Sequence, residues 1–328
     1  MSGPVSRRHV LTAAVCAVAL PAGPALAYVR DDMRRPAGRR SRGRVRLGVW
    51  DPGLLSGVSA LEADLGRPVD IVHFYQGWGD DQNDFDVERA QAIVERGAHP
   101  MVTWEPWDYR TGLAENRFPL RRIAAGDFDA LIRRWGRDLA GFGHRVKLRF
   151  AHEMNHDAYP WCVGVNGNTA EDYVRAWRRV VRLMRAEGAT NVDFVWCPIP
   201  PSPTRPALRA AFPGDAYVDL VGMDGYNAGA AADWGGWLSF ADVFGALYDQ
   251  LRRLSDRPVI VAETGCAEQG GNKAAWLQQA FLEALPRRFP AIVAVVWFNE
   301  RREADWRLDS SAAALESARI VFRSGPFR

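Results

Sequence analysis

Eight short apolar runs, each followed by a stretch of longer period, constrain what this chain of 328 residues can fold into more tightly than any other feature of it. RLGVW (46–50), DIVHFY (70–75), PMVTW (100–104), VKLRFAH (146–152), VDFVWCP (192–198), VDLVGMD (218–224), PVIVAE (258–263) and IVAVVWF (292–298) are rich in β-branched and aromatic residues and have the length of strands. Between them, Val87 to Glu95, Phe128 to Gly141, Ala170 to Glu187, Phe240 to Leu254 and Lys273 to Leu285 space apolar residues three and four apart, as one face of a helix does. Asp127, Asn168–Thr169 and Asn272 offer helix starts, and Gly97, Gly143 and Gly188 offer stops. Strands apolar on both faces and separated by helices belong to a parallel sheet covered by helices. Eight such units predict an α/β chain closed into a single (β/α)8 barrel. An open doubly wound sheet is the rival, but it normally carries a glycine-rich phosphate loop after an early strand, and Gly53 to Gly57 does not read GxGxxG.

In such a barrel the side chains that do chemistry stand at the C-terminal ends of the strands. That rule selects Trp50 and Asp51, His73 and Tyr75, Trp104 and Glu105, His152 and Glu153, Trp196, Asp224 to Asn227, Glu263, and Trp297 to Asn299. Two ends are alike: VKLRFAHE and PVIVAE both finish on glutamate, Glu153 and Glu263. Two carboxyl groups, one an acid and one a nucleophile, are what cleavage of a glycosidic bond requires. Indole and phenol rings recur at the same ends and in the Tyr-Pro-Trp loop that closes on Trp161. Flat sugar faces pack on such rings, although any one Trp could equally plug the barrel mouth. Trp135, Trp177 and Trp276 fall inside helical patterns and are assigned to packing.

Arg149 precedes Glu153 by an even number of residues, so strand alternation puts both on one face. From there Arg149 would either hold Glu263 charged or form a buried ion pair with Glu105 or Asp224. Tyr226 is a candidate donor to Glu263, and His73, Trp78, Trp104, Asp224 and Asn299 are candidate sugar contacts. His152-Glu153-Met154-Asn155-His156 also matches HExxH, which on a helix would present two imidazoles to zinc. The context opposes that reading. VKLRF is strand-like, Asn155, Asp157 and Pro160 break a helix, and without one the two imidazoles do not share a face.

RFAHEMN at one strand end, DGYN after another, VAETG on a later strand and VVWFN on the last together resemble glycoside hydrolase family 26. The resemblance spans Arg46 to Phe322. It implies a (β/α)8 barrel that cleaves β-linked polysaccharides with retention, most often β-1,4-mannan, with mixed-linkage β-glucanases and β-1,3-xylanases as other members. By this likeness Glu153 would be the acid/base, ending the fourth strand, and Glu263 the nucleophile, ending the seventh. His152 precedes the acid as in the family, Tyr226 matches the Tyr near the nucleophile, and Trp297 matches a Trp that floors the sugar site. Where the family commonly has Gly and then a Trp after HEMN, this chain has His156 and Ala158, which bears on the substrate more than on the reaction. GNTAEDYVRAW and GGNKAAW are closer to glucanase-like members. The expected partner is a polysaccharide, met by a monomer without cofactor or metal; a glycan-binding barrel that has lost turnover is the alternative from another class.

The first residues are not fold. Ser6 to Leu11 begins a basic region, an apolar run reaches Leu20, and Ala25-Leu26-Ala27 offers a cleavage site, so residues 1–27 read as a signal peptide and Arg7-Arg8 as a twin-arginine address. The run is shorter than the ~20 residues a membrane span needs, and a secreted protein free of the membrane after processing is expected. Of the formal charge of +3, Arg7 and Arg8 supply two, and residues 28–44, with seven arginines against Asp31 and Asp32, supply five, so the body at 45–328 carries −4. The basic segment reads as a flexible linker, and no basic face argues for nucleic acid. Cys16 leaves with the signal. Cys162, Cys197 and Cys266 remain, with Cys162 and Cys197 either bridged or buried as free thiols.

Overall fold

A computed structural model describes residues 43–79, 83–201 and 207–328. The signal and most of the linker therefore lie outside the described residues. The elements run β1 (Arg46–Trp50), α1 (Leu54–Leu65), β2 (Ile71–Gly77), α2 (Val87–Glu95), β3 (His99–Glu105), α3 (Leu120–Ala125), α4 (Asp129–Phe142), β4 (Val146–Phe150), α5 (Ala170–Ala186) and β5 (Val192–Trp196). They continue with α6 (Leu208–Ala211), β6 (Leu220–Asn227), α7 (Phe240–Leu254), β7 (Val259–Cys266), α8 (Lys273–Gln278), α9 (Leu285–Arg288), β8 (Ile292–Phe298) and α10 (Ala312–Phe322). Each strand pairs with the next, and β8 pairs in parallel with β1, so the sheet closes into an eight-stranded barrel. None of the described helices is long and apolar enough to cross a membrane.

Local chemistry sets the helix ends. Thr169 and Asp172 exchange hydrogen bonds in a capping box at the start of α5, and Asn272 caps α8 through Ala275 N at 2.9 Å. Asp127 does not cap α4, because Arg122 Nε holds its carboxylate at 2.6 Å; Phe128 takes the cap position instead. The stretch expected as one helix from Lys273 to Leu285 is divided by a π-helical turn at Gln279–Ala284. Pro286, at the start of α9, has no N–H to donate to the preceding turn, which accounts for the widened geometry before it. α1, α3, α6 and α10 were not anticipated; α3 and α6 span only six and four residues.

Alternation along each strand sorts the side chains into two layers. Ile71, Met101, Val195, Cys197, Leu220, Ile260, Ala262, Ala294 and Val296 fill the barrel. Their neighbours one residue away, such as Val72, Val102, Phe194, Val221, Val261 and Val295, pack outward against the helices. The inner layer is tight at two glycines: a Cβ on Gly48 would lie 2.8 Å from Val296 Cγ2, and one on Gly222 2.7 Å from Cys197 Sγ. Trp104 belongs to the outer layer. It is fully buried with ring centroids 4.5 Å from Trp135 and 4.7 Å from Trp78, so Trp104 and Trp78 are core rings rather than sugar contacts.

Candidate active site

The same alternation decides which strand-end residues reach the barrel mouth. His73 and Tyr75 on β2, Thr103 and Glu105 on β3, and Asp224 and Tyr226 on β6 share the inward parity of Ile71, Met101 and Leu220. On β7 the parity would point Glu263 at the helices, since Ile260 and Ala262 face in. A bulge prevents this. Met223 pairs with Val261 but Asp224 with Glu263, so β7 gains one residue and Glu263 turns into the mouth beside Asp224.

Three donors meet the Glu263 carboxylate. Tyr75 Oη donates to Oε1 at 2.6 Å, Tyr226 Oη to Oε2 at 2.6 Å, and Arg149 Nη2 to Oε1. Arg149, fully buried, also pairs through Nη1 with Asp224 and through Nε with Thr103 Oγ1 at 2.7 Å. Of the readings open for Arg149, the two through Glu263 and Asp224 hold together. Burial works against its charge, but Asp224 and Glu263 outweigh it and hold the guanidinium well above its ordinary value. Burial raises the Asp224 carboxyl above its ordinary value against the pull of Arg149. Thr103, which accepts from Arg149, has its proton left for His73 Nε2 at 2.6 Å. His73 is therefore a buried support one level below the mouth, kept neutral by burial and by Arg149, and makes no sugar contact.

Glu153 reaches the mouth by a different route. β4 ends at Phe150, and Ala151 and Glu153 adopt left-handed backbone with φ of 43° and 51°. Glu153 N donates to Cys197 O at 2.7 Å, and Asn155 is tied by two 3.0 Å bonds to Ile199, so the turn is pinned to the end of β5. HEMNH is thus not helical. His152 is buried, whereas His156 lies in an exposed turn with Nδ1 3.0 Å from Asp157. Among the described residues one group, His152, Asp224 and Glu263, brings three donor atoms of metal-ligand type within 4.8 Å of one another. There the Arg149 guanidinium already bridges both carboxylates, so the cation of that place is built into the chain.

Tyr159 lies within electrostatic reach of Glu153, Glu263 and Glu105. Burial raises its phenol well above the ordinary value, and Glu153, Glu263 and Glu105 each push it further up. Its ring stacks on Trp161 at 4.6 Å and lies 4.8 Å from His152. Tyr159, one residue beyond Ala158, is the aromatic ring beside the expected acid. Trp161 sits behind His152, buried, with Nε1 donating to His152 O at 2.7 Å.

The remaining candidates are placed elsewhere. Trp297 has outward parity, is fully buried against Trp276 and Phe281, and donates from Nε1 to Trp306 O at 2.8 Å; it does not floor the site. The inward ring of β8 is Phe298, packed with Trp50, Tyr75 and Tyr226. Asn299 joins loops, donating to Asp51 at 2.8 Å and accepting from Leu308 N at 2.9 Å. Cys162, Cys197 and Cys266 are free and buried. Cys162 Sγ faces Glu153 O at 3.3 Å and Cys197 Sγ faces Asp224 at 3.1 Å, so the two thiols are not bridged. Tyr75, Glu105 and Phe298 stand among the strand-end candidates without a contact to the two glutamates assigned to them, although parity alone marks all three as inward.

The sequence pattern of Glycosyl hydrolase family 26 matches residues 123–279, which include Glu153 and Glu263. The chain resembles that family over just under half of its length. It is 38% identical over 292 residues to Endoglucanase H of Acetivibrio thermocellus, covering 86% of this chain and 31% of that protein. It is 26% identical over 166 residues to a mannan endo-1,4-beta-mannosidase of Bacillus subtilis, covering 48% of this chain and 40% of that protein. The chain thus spans less than half the length of these curated relatives. A GH26 beta-mannanase structure from Bacteroides ovatus superposes with a TM-score of 0.65 at 17% identity, over 88% of this chain and 90% of that one, a likeness of fold.

Proposed function

We propose that this barrel is an endo-acting β-glycanase of family 26 that cleaves a β-linked glucan by double displacement, with Glu263 as nucleophile and Glu153 as acid/base. The supporting observation is the convergence on one mouth of a carboxylate held by Arg149, Tyr75 and Tyr226 and a second carboxyl on the neighbouring β4 turn. A carboxylate that accepts from three fixed donors is oriented and needs no reorganisation to attack. In the first step a Glu263 oxygen bonds to the anomeric carbon, the glycosidic C–O bond breaks, and Glu153 gives its proton to the leaving oxygen. In the second, Glu153 takes a proton from water, the water oxygen bonds to the same carbon, and Glu263 leaves. Tyr159 and Phe298 offer rings to the sugars.

The choice of glucan over mannan follows the stronger likeness to Endoglucanase H, at 38% identity against 26% for the mannosidase. Export through the twin-arginine route, expected from residues 1–27, belongs to the same proposal and is checked by fractionating cells that make the full chain. Sugar release from barley β-glucan, glucomannan, galactomannan and xylan, with the anomer of the first product read by NMR, tests the rest. Release from β-glucan with retained configuration is expected; inversion would refute the nucleophile, and preference for galactomannan would refute the substrate. Glu153→Ala should retain the first step on glycosides with very good leaving groups, whereas Glu263→Ala should lose it.

A further inference from the structure

Besides Glu153, Glu263 and Asp224, a fourth carboxyl group stands at this mouth, and the two-step scheme has no use for it. Glu105 ends β3 with inward parity and is 8% exposed. Trp107 Nε1 donates to its Oε2 at 3.1 Å. Its Oε1 lies 4.0 Å from His152 Nδ1, and that nitrogen is buried without a hydrogen-bond partner. An acceptor and an unsatisfied ring nitrogen are thus held about 1 Å beyond hydrogen-bond length, and leaving such a nitrogen unpaired is unfavourable. The geometry points to Glu105 as a positioning residue for His152: Oε1 closes on Nδ1, fixes the ring proton there, and leaves Nε2 as an acceptor for the sugar.

This rests on the glycosidase reading of the mouth, and three further observations bear on it. The imidazole is kept neutral by burial first, then by Arg149, His73 and His156, so it carries one ring proton whose place its neighbours decide. One His152 nitrogen lies within 4.8 Å of carboxylate oxygens of Glu263 and Asp224, so the ring borders the expected nucleophile. Trp107 fixes one carboxyl oxygen and so presents the other. A glutamine would suit the Trp107 contact equally well; only a carboxylate has an acceptor for both Trp107 and Nδ1–H.

Glutamine therefore makes a clean test. In Glu105→Gln the amide oxygen stays with Trp107, the NH2 faces Nδ1, and the ring proton moves to Nε2. With Trp107→Phe added, the amide oxygen is free to turn to Nδ1. At pH 8, where Glu105 is ionised, imidazole 15N NMR should place the proton on Nδ1 in the wild type, on Nε2 in Glu105→Gln, and again on Nδ1 in the double variant. On β-glucan, kcat should fall about ten-fold in Glu105→Gln, the rate equivalent of one hydrogen bond, and partly recover in the double variant. A wild-type proton on Nε2, or a double variant no more active than Glu105→Gln, would overturn the proposal. An enzyme silent on every glucan would overturn the reading of the mouth instead, and the NMR result would still decide the role of Glu105.

Discussion

Replacing Glu105 by glutamine should make the protein more stable, and by an amount that depends on pH. Burial lifts this carboxyl from 4.5 to about 7, with Glu263 adding to the rise and Trp107, Arg149 and Arg302 opposing it. The folded chain therefore binds the proton more tightly than the unfolded chain. Its contribution is favourable at low pH, is lost as pH rises from 4.5 to about 7, and changes no further above that. At ~1.4 kcal/mol per pH unit the whole interval is worth about 3 kcal/mol, of which about 2.5 kcal/mol develops between pH 5 and pH 8. The glutamine side chain cannot ionise and keeps the bond from Trp107. Urea unfolding of both proteins, followed by tryptophan fluorescence, should show the variant gaining about 2.5 kcal/mol more over the wild type at pH 8 than at pH 5. A stability difference independent of pH would refute the claim that burial controls this carboxyl, and a gain that shrank as pH rose would reverse its sign. A more stable, less active variant is the expected mark of a residue kept for function.

Three other outcomes follow from the same geometry. Among the described residues Glu263 Oε2 has Tyr226 as its hydrogen-bond donor, whereas Oε1 has both Tyr75 and Arg149, so Tyr226→Phe should lower kcat/KM by about ten-fold or more and Tyr75→Phe by less. Arg149→Met leaves Asp224 and Glu263 buried without their cation and should cost about 3–5 kcal/mol in chemical denaturation; stability near wild type would contradict the bridging role. Protein lacking residues 1–27 should titrate three thiols in urea without reductant and almost none when folded, since Cys162, Cys197 and Cys266 are free and buried; a count of one would mean a disulfide.

The barrel was legible in the sequence because its signal is repeated eight times and depends on period alone. The two glutamates stand out in the sequence because each ends a run. What was misassigned follows from reading strand ends as sites without also reading parity. Trp104 and Trp297 end their strands, but Met101, Thr103, Ala294 and Val296 fix the inward register one residue away, so both indoles face the helices. Glu105 and Phe298 carry the inward parity in the same strands and are the residues at the mouth. Parity has its own limit. Along β7 it places Glu263 on the wrong face, and only the bulge opposite Met223 and Asp224 corrects it, a local insertion that the alternating pattern does not record. Along β4 the even spacing of Arg149 and Glu153 has no force, since the strand stops at Phe150 and the next residues leave extended geometry.

These exceptions share a place. Left-handed backbone at Ala151 and Glu153 costs on the order of 1–3 kcal/mol per residue and persists only where neighbours over-determine it, here through Trp104 O, Cys197 O and the Tyr173 hydroxyl on Ala151 O. A fully buried arginine between two carboxylates is no more stabilising than a well-packed apolar group of the same volume. Glu105 is held against its own ionisation. Stability alone would choose glycine at position 153, glutamine at 105 and apolar groups in place of Arg149, Asp224 and Glu263 together, and each choice would remove a charge or a proton from the same small volume. The rest of the barrel obeys the rules of period and parity. Because the departures gather at the C-terminal mouth, the unfavourable terms and the proposed chemistry belong to one set of residues, and the regular part of the fold supplies the stability that keeps them in place.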